Sequence, residues 1–382
     1  MRKTLLKTVL FLFLAQALRA EKTTLSETLK EFADGQIEGR EVAGLLVEVG
    51  DKDGILATAA AGFSNIETAG KISPDNIFWI ASMTKPITGT AMMMAVEKGL
   101  VSISDPVSKY LPEFKDLKGV DGKPATITIA QCLSHTSGLQ DFNAEENGAT
   151  TTLAELTALV STKPLEFEPG TKWAYCQTGI STAARVIEVV SGKSFPDFLQ
   201  ENIFTPLGMV DTTFYLTEAQ ATRLVRSYEK TDTGFKAVSP YILFGKSVTD
   251  TARFPSAAGG LFSTLSDYGK FARMILNGGE LDGNRYLKPD SIVEMTGSHT
   301  GDLAAGFVPG SNYGLGWIRV AEPVGVTEPL SEGSFGHGGA YGTQAWIDPV
   351  KNRYTIMMLQ RTNFKNGDAS DTRALFQKAA GK

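Results

Sequence analysis

Segments with the composition of β-strands lie near both ends of this chain, and this distribution constrains the fold more than any other feature. Near the N-terminus, the apolar stretches 42–49 and 55–61 flank a turn-forming segment, 50–54, which is typical of a β-hairpin. Toward the C-terminus, strands are predicted at 316–321, 342–347 and 354–360. We therefore expect strands from both ends of the chain to join in one antiparallel sheet.

The middle of the chain instead has apolar residues at the spacing of helices. Helices are predicted at 86–99, 152–160, 179–190, 195–203, 266–276 and 371–379, and a further short strand at 259–263. The predicted fold class is therefore α+β, an antiparallel sheet flanked by helices. Residues 21–87 together with 251–382 form a mixed sheet-and-helix domain, and residues 88–250 form an inserted, mostly helical region.

A short basic and apolar segment opens the chain. Basic residues precede an apolar run from Thr8 to Leu18, and small residues occur at Ala17 and Ala20. This pattern predicts a secretory signal peptide over residues 1–20, with an uncleaved anchor as the alternative. Because the apolar run is shorter than a membrane span, we expect cleavage, no stable membrane anchor, and a periplasmic or secreted protein.

Composition narrows the classes of partner. Removal of residues 1–20 takes away four basic residues and no acidic one, so the formal net charge changes from −5 to −9, which disfavours nucleic acid as a partner. The two cysteines, Cys132 and Cys176, either pair or remain separate buried thiols. The three histidines form no compact cluster with cysteines or carboxylates, so we predict neither a metal site nor a cofactor. We expect a monomer that acts on a small molecule or a cell-wall peptide.

The pattern Ser-x-x-Lys occurs twice, and its context differs between the copies. Ser227 and Lys230 lead into a polar turn at 231–234, so we assign this copy to solvated surface. Ser82 and Lys85 follow the apolar segment 77–81 and precede Pro86, which is tolerated only in the first turn of a helix. Ser82 is therefore predicted at a helix N-terminus, with strain at Lys85, the residue before the proline.

This placement suits a nucleophile. Free backbone N–H groups at a helix N-terminus favour developing negative charge, and one helical turn brings Lys85 beneath the Ser82 hydroxyl. Burial would lower the pKa of Lys85 and allow it to act as a base. The alternative from the tetrapeptide alone is a helix-capping serine followed by a surface lysine. The chain has no Gly-x-Ser-x-Gly motif, which argues against the catalytic triad of the α/β-hydrolases.

Beyond the tetrapeptide, an ordered set of motifs resembles the β-lactamase-related serine hydrolases. This family includes class C β-lactamases, D-Ala-D-Ala carboxypeptidases and other penicillin-binding proteins, and the family VIII carboxylesterases. The similarity covers roughly residues 40–365 and implies a β-lactamase/transpeptidase-like fold. The matching stretches are Ser82–Lys85, Leu133–Leu139, Pro169–Tyr175, Pro206–Met209, Ala258–Leu261 and Gly336–Gly339.

The resemblance also implies roles for individual residues. Tyr175, as a tyrosinate stabilised by Lys85, would take the Ser82 proton and return it to the leaving group. Ala340 would donate its backbone N–H, together with that of Ser82, to the oxyanion. His135 is expected to support its own loop, and Tyr341 either lines the pocket or is a sheet-edge aromatic.

Two positions depart from the family pattern. Gln177 replaces the Asn that contacts the substrate amide, and His337-Gly338-Gly339 replaces Lys-Thr-Gly or His-Thr-Gly, whose cation and hydroxyl bind a carboxylate. The predicted function is therefore a serine hydrolase that forms an acyl-enzyme on Ser82 and acts on small esters. A β-lactamase or D-Ala-D-Ala carboxypeptidase is the alternative. A penicillin-binding sensor without turnover and an inactive scaffold are further alternatives.

Overall fold

A computed structural model describes residues 22–365 and 367–381 of the chain. The predicted signal peptide, residues 1–20, lies outside the described residues. An eight-stranded antiparallel sheet forms the centre of the described part, with the strand order β10-β11-β12-β13-β14-β1-β2-β3. The strands are β1 (Gly44–Asp51), β2 (Gly54–Asn65), β3 (Gly70–Lys71), β4 (Ile77–Trp79), β5 (Ser227–Thr231), β6 (Gly234–Val238), β7 (Phe262–Thr264), β8 (Glu280–Leu281), β9 (Asn284–Arg285), β10 (Ser311–Tyr313), β11 (Ile318–Val320), β12 (Phe335–Gly338), β13 (Gln344–Asp348) and β14 (Arg353–Leu359).

The two ends of the chain meet in the middle of this sheet. β1 pairs on one side with β2, as the hairpin pattern predicts, and on the other side with β14, where Val47 lies opposite Met357. All but the last residue of β1 are buried, because helices cover both of its faces. The predicted joining of both chain ends in one antiparallel sheet is therefore confirmed.

Helices account for most of the remaining regular structure. They are α1 (22–38), α2 (Thr84–Glu97), α3 (Ile129–Leu133), α4 (Ala144–Ala149), α5 (Leu153–Val160), α6 (Gln177–Ser191), α7 (Phe195–Leu199), α8 (Thr205–Leu207), α9 (Glu218–Ala221), α10 (Leu265–Leu276), α11 (Pro289–Thr296) and α12 (Asp371–Ala380). A π-helical segment, Gln200–Phe204, joins α7 to α8, so the helix predicted at 195–203 continues further than expected. Short 3₁₀ turns include Ala81–Met83 and Tyr241–Leu243.

The helices form layers on the two faces of the sheet. α1 and α12 cover one face, where the Phe32 and Phe376 rings lie 5.6 Å apart. α10 crosses β1 and β14 on the other face. Alternate residues of β1 separate the two layers, since Val47 packs beneath α1 and α12 whereas Leu46 belongs to the larger core. The fold is thus an α+β arrangement, as predicted.

The chain between α2 and β7 contains the helices α3 to α9 and the hairpin β5–β6, joined by long irregular segments. α6 contacts α2, α3, α5 and α7, so it is the central helix of this region. Cys132 and Cys176 are both buried, free thiols. The domain boundaries at 87/88 and 250/251 stay predictions. No helix within the described residues combines the length and apolar character that crossing a membrane requires.

The second Ser-x-x-Lys copy is not on solvated surface, and this prediction was wrong for its serine. The polar turn at 231–234 exists, but Ser227 begins strand β5 and is buried. Its hydroxyl lies 3.0 Å from Gln360 Oε1, and Lys230 pairs with Glu41 at 2.7 Å. The strand pairing places these two side chains in separate contacts, and neither of them contacts Ser82.

Candidate active site

Ser82 lies at the junction between a strand and a helix. β4 pairs with β7, and the chain then turns through the 3₁₀ segment Ala81–Met83 into α2. Pro86 is the third residue of α2, where no intrahelical N–H bond is lost. The backbone strain lies at Ala81, whose φ is 46°, and not at Lys85 as Pro86 suggested. Because Ala81 adopts the left-handed backbone conformation directly before Ser82, the chain changes direction there and the Ser82 hydroxyl faces the pocket.

The Lys85 side chain is buried beneath Ser82. Its Nζ lies 3.1 Å from Ser82 Oγ and 2.6 Å from the carbonyl oxygen of Ala258, in the predicted Ala258–Leu261 motif. Burial lowers the pKa of Lys85 to about 7. A substantial fraction of Lys85 is therefore a neutral amine near neutral pH, able to accept a proton from Ser82.

Tyr175 is the second side chain in contact with the Ser82 hydroxyl. Its hydroxyl donates to Ser82 Oγ at 2.8 Å, and Lys85 Nζ lies 4.5 Å from the centre of its ring. Burial raises the pKa of Tyr175 well above its ordinary value of 10. The protonated phenol is therefore the favoured form in this structure, which argues against the tyrosinate implied by the resemblance.

A tight turn between β12 and β13 carries the expected oxyanion donor. The Gly342 N–H donates to the Gly339 carbonyl at 3.0 Å, and the Gly339 N–H donates to the Thr343 carbonyl at 2.7 Å. Arg373 also donates to the Gly339 carbonyl, at 2.8 Å, and so fixes the peptide plane that bears the Ala340 N–H. Within the described residues, this Ala340 N–H has no protein acceptor. It is available to a ligand at the pocket.

His337 lies on β12 at the edge of the Ser82 cavity, and both of its ring nitrogens are engaged in hydrogen bonds. Its Nε2 lies 2.8 Å from the Tyr313 hydroxyl and its Nδ1 lies 2.7 Å from the Gly338 carbonyl oxygen. Burial, assisted by the charge of Lys85, lowers the pKa of His337 to about 3. The imidazole is therefore neutral, as expected from the loss of the family's cation at this position.

The positions after His337 are glycines for steric reasons. A Cβ on Gly338 would collide with the Asp368 carboxylate and the Arg373 guanidinium, which pair with each other at this edge of the pocket. A Cβ on Gly339 would collide with Thr343 and with the Ile80 carbonyl. Because Gly338 and Gly339 have no side chains, Arg373 can contact the turn. The hydroxyl that a threonine at position 338 would supply is absent.

A cavity of about 190 Å³ opens at Ser82. Six of the nine predicted site residues line it, and Lys85 contacts Ser82 from beneath, whereas Gln177 and Tyr341 lie elsewhere. Gln177 lines a neighbouring cavity of about 190 Å³, and the Tyr341 ring packs 4.8 Å from Trp79. The residues that line the Ser82 cavity are Ser82, Tyr175, Tyr241, Phe307, His337, Gly338, Gly339, Ala340, Gly342, Phe364, Gly367, Asp368 and Arg373.

Gln177 and Tyr341 thus lie beside the Ser82 cavity and not among its lining residues. α6 begins at Gln177, directly after its N-cap residue Cys176, and Gln177 lines the neighbouring cavity. Tyr341 donates its hydroxyl to the Ser239 carbonyl at 3.1 Å, which makes it a buried support for the pocket wall rather than a lining residue. Tyr241 lies between the two cavities, because it lines both of them.

Several pocket residues escaped the sequence interpretation. Tyr241 lies in a 3₁₀ turn between β6 and β7, and Phe307 lies in an irregular segment before β10. Arg373 and Asp368 come from the C-terminal region and reach the site only because α12 packs beside β14. Tyr313 does not line the cavity but contacts His337 behind it, and it precedes the glycine-rich sequence Gly314-Leu315-Gly316, a local signal of close backbone packing.

An antiparallel sheet covered by helices, with a serine, a buried lysine and a tyrosine in contact, defines a serine hydrolase that works through an acyl-enzyme. The chain belongs to the Beta-lactamase family, whose sequence model matches residues 27–380.

Among its relatives, the chain is 31% identical to the lovastatin esterase of Penicillium rubens, over 69% of both chains. It is 29% identical to penicillin-binding protein 4 of Amycolatopsis lactamdurans, over 76% of this chain and 73% of the relative. Among solved structures, EstCE1, described as a hydrolase with promiscuous acyltransferase activity, superposes with a TM-score of 0.81 at 21% identity, covering 95% of this chain and 99% of EstCE1.

Proposed function

We propose that this protein is a carboxylesterase that cleaves small, uncharged esters through an acyl-enzyme on Ser82. The observation that carries the proposal is that neither basic side chain at the pocket edge, His337 or Arg373, is a free cation. His337 is a neutral imidazole engaged by Tyr313 and Gly338. The Arg373 guanidinium is engaged by Asp368 and by two backbone carbonyls. A substrate carboxylate, which β-lactams and cell-wall peptides carry, would find no uncommitted cation on these two residues.

Acylation uses the two contacts of Ser82. The neutral Lys85 amine accepts the Ser82 proton while Oγ attacks the ester carbonyl, and the lysine becomes an ammonium held by the Ala258 carbonyl. The tetrahedral intermediate then expels the alcohol. The Tyr175 phenol donates a proton to the departing oxygen and recovers one from the Lys85 ammonium, so no net charge accumulates.

The developing oxyanion needs donors that are fixed before the reaction. The Ala340 N–H is one of them, and its peptide plane is held by the contact of Arg373 with the Gly339 carbonyl. The backbone N–H of Ser82, at the 3₁₀ turn before α2, is the second donor. Water then attacks the acyl-enzyme in the reverse sequence of proton transfers and releases the acid.

The size of the site favours short acyl groups. The cavity at Ser82 has a volume of about 190 Å³, and Tyr241 separates it from the cavity that contains Gln177. A small ester fills the first cavity without crossing this wall. The similarity to the lovastatin esterase of Penicillium rubens supports ester cleavage, although the acyl group that this chain accepts is set by its own walls.

A substrate panel tests the proposal directly. The purified protein, without residues 1–20, is assayed with p-nitrophenyl butyrate, a chromogenic cephalosporin and a D-Ala-D-Ala peptide. We expect kcat/KM for the ester to exceed that for the other two by at least about a hundredfold, which corresponds to about 3 kcal/mol in the transition state. Efficient cleavage of the cephalosporin with the ester left intact would reverse the assignment in favour of a β-lactamase.

The same panel separates the remaining alternatives. Stable labelling by a fluorescent penicillin without turnover would indicate a penicillin-binding protein, and the absence of both labelling and hydrolysis would indicate an inactive scaffold. Ser82→Ala provides the background rate for each substrate. The variant should lose hydrolysis while keeping the thermal unfolding midpoint of the parent protein.

We further propose that the protein is exported and works outside the cytoplasm. The support is the basic and apolar pattern of residues 1–20. N-terminal sequencing of the protein from its native cells should begin near residue 18 or 21. Recovery of a chain that begins at Met1 in the cytosolic fraction would contradict the proposal.

A further inference from the structure

A chain of buried hydrogen bonds runs behind the pocket and ends at the oxyanion turn. It starts at the Cys176 N–H, passes through His135 and Tyr313, and reaches His337 and the Gly338 carbonyl. All three side chains are buried. The four contacts measure 3.0, 3.1, 2.8 and 2.7 Å in that order.

The direction of the chain is fixed at both ends. A backbone N–H can only donate, so His135 Nδ1 must be unprotonated to accept from Cys176. The Cys176 carbonyl also lies 3.1 Å from Nδ1, but this carbonyl has the first N–H of α6 as a donor, whereas the Cys176 N–H has no other acceptor among the described residues and would be left unpaired in the core. His135 is therefore protonated on Nε2 and donates to the Tyr313 oxygen.

The remaining protons follow from this choice. Because the Tyr313 oxygen accepts from His135, its own hydrogen is free to point to His337 Nε2. His337 is then protonated on Nδ1, and that N–H donates to the Gly338 carbonyl, which can only accept. The two histidines thus have opposite tautomers, and a single assignment satisfies every member of the chain.

We propose that Tyr313 is a positioning residue that sets the tautomer of His337, and that His337 thereby holds the oxyanion turn in place. Hydrogen bonds fix both polar groups of the Gly338–Gly339 peptide. His337 Nδ1–H donates to the Gly338 carbonyl, and the Gly339 N–H donates to the Thr343 carbonyl. Arg373 donates to the Gly339 carbonyl of the following peptide, which bears the Ala340 N–H. The wrong tautomer of His337 would set a lone pair against the Gly338 carbonyl and push this turn away.

The expected effect on kcat rests on the proposed function, whereas the tautomers of His135 and His337 do not depend on it. The charged and titratable groups that face the two histidines are Lys85 from α2, Arg373 with Asp368 from the C-terminal region, and the Tyr175 ring. Burial lowers the pKa of both His135 and His337, and the nearby charge of Lys85 lowers it further. Both histidines should therefore stay neutral throughout the range from about pH 5 to about pH 9.

The first experiment reads the tautomers without any catalysis. The chain has three histidines, so ¹⁵N-histidine labelling and long-range ¹H–¹⁵N correlation spectra resolve each ring, and His299→Gln assigns the third. We expect His135 as the Nε2–H form and His337 as the Nδ1–H form, unchanged in Ser82→Ala. The same tautomer in both rings, or an imidazolium at His337, would overturn the proposal even if the protein is an esterase.

The second experiment is a double-mutant cycle with the ester substrate. Tyr313→Phe should lower kcat at least about tenfold while KM stays within about twofold, because a displaced oxyanion donor weakens the transition state more than ground-state binding. In His337→Asn, the Asn amide can replace Nδ1–H and has no tautomers. Adding Tyr313→Phe to that background should change kcat less than about twofold.

The cycle distinguishes positioning from a merely structural role. An equal loss from Tyr313→Phe in both backgrounds would mean that Tyr313 does not act through His337, and the proposal would fail. If Tyr313→Phe does not fold, as judged by thermal unfolding, the tautomer measurement on the unaltered side chains still decides the matter. If the chain proves not to cleave esters, the cycle is run with whichever substrate of the panel it does cleave.

Discussion

Glu48 offers a quantitative test because it is a carboxylate in the core. It lies on β1 with 2% of its surface exposed, and its Oε1 accepts from the Tyr354 hydroxyl at 2.9 Å. Gly269 of α10 covers it, and a Cβ there would come within 2.6 Å of Oε1. Burial raises the pKa of Glu48 from 4.5 to about 7.

The sign and size of the effect follow from proton linkage. Between pH 4.5 and about 7 the folded protein binds a proton at Glu48 that the unfolded chain does not, so its stability falls as the pH rises through this window. A tenfold change in an equilibrium constant corresponds to about 1.4 kcal/mol, and the interval therefore amounts to about 3 kcal/mol. Glu48→Gln keeps an acceptor for Tyr354 and cannot ionise.

Urea unfolding at pH 5 and at pH 8 measures this difference. We expect Glu48→Gln to change the free energy of unfolding by less than about 1 kcal/mol at pH 5 and to increase it by about 3 kcal/mol at pH 8. Comparison with the parent protein at each pH removes the contribution of all other groups. Tyr354→Phe is the companion variant, and it should cost more at pH 8 than at pH 5 because the carboxylate loses its donor.

One result would refute the reasoning. A stability gain in Glu48→Gln that is equal at both pH values would mean that Glu48 has the same ionisation in the folded and unfolded states. The buried site would then have to be solvated in a way that its 2% exposure does not suggest.

Three further predictions concern the active site. For the ester, kcat/KM should rise with pH and level off above about pH 7, since only the deprotonated form of Lys85 accepts the Ser82 proton; a flat profile with unchanged chemistry would exclude this base. Tyr241→Ala should join the two cavities and raise kcat/KM for p-nitrophenyl octanoate relative to butyrate by about tenfold, whereas an unchanged ratio would show that Tyr241 is no barrier. Ser227→Ala, the matched control for Ser82→Ala, should cost about 1 kcal/mol of stability but leave hydrolysis unchanged, and lost hydrolysis would contradict the choice of Ser82.

The sequence predicted those parts of the site that depend on local geometry. A proline in the first turn of a helix limits where that helix can begin, so the relation between Ser82 and Lys85 could be inferred from a few residues. The apolar stretches near both ends of the chain likewise predicted β1, β2 and β14. In each case the neighbours that decide the structure are close in the chain or follow a simple period.

Features that depend on contacts between distant segments could not be inferred. Arg373 reaches the oxyanion turn only because α12 docks against the sheet, and no spacing in the sequence connects it with Gly339. Burial decides the protonation of Tyr175, and the sequence carries no measure of that burial. Gln177 follows Tyr175 by two residues, yet the start of α6 directs the two side chains into different cavities.

The central position of β1 and β14 has a consequence for how the chain can be cut and rejoined. Because Leu45 pairs with Leu359 and α1 packs on α12, the two described ends of the chain lie on the same face of the sheet. A linker laid along this face would create a circular permutant whose new termini could open at an exposed turn such as 121–123. Deletion of α12, in contrast, would strip the cover from β14 and withdraw Arg373 from the oxyanion turn, so stability and catalysis would fail together.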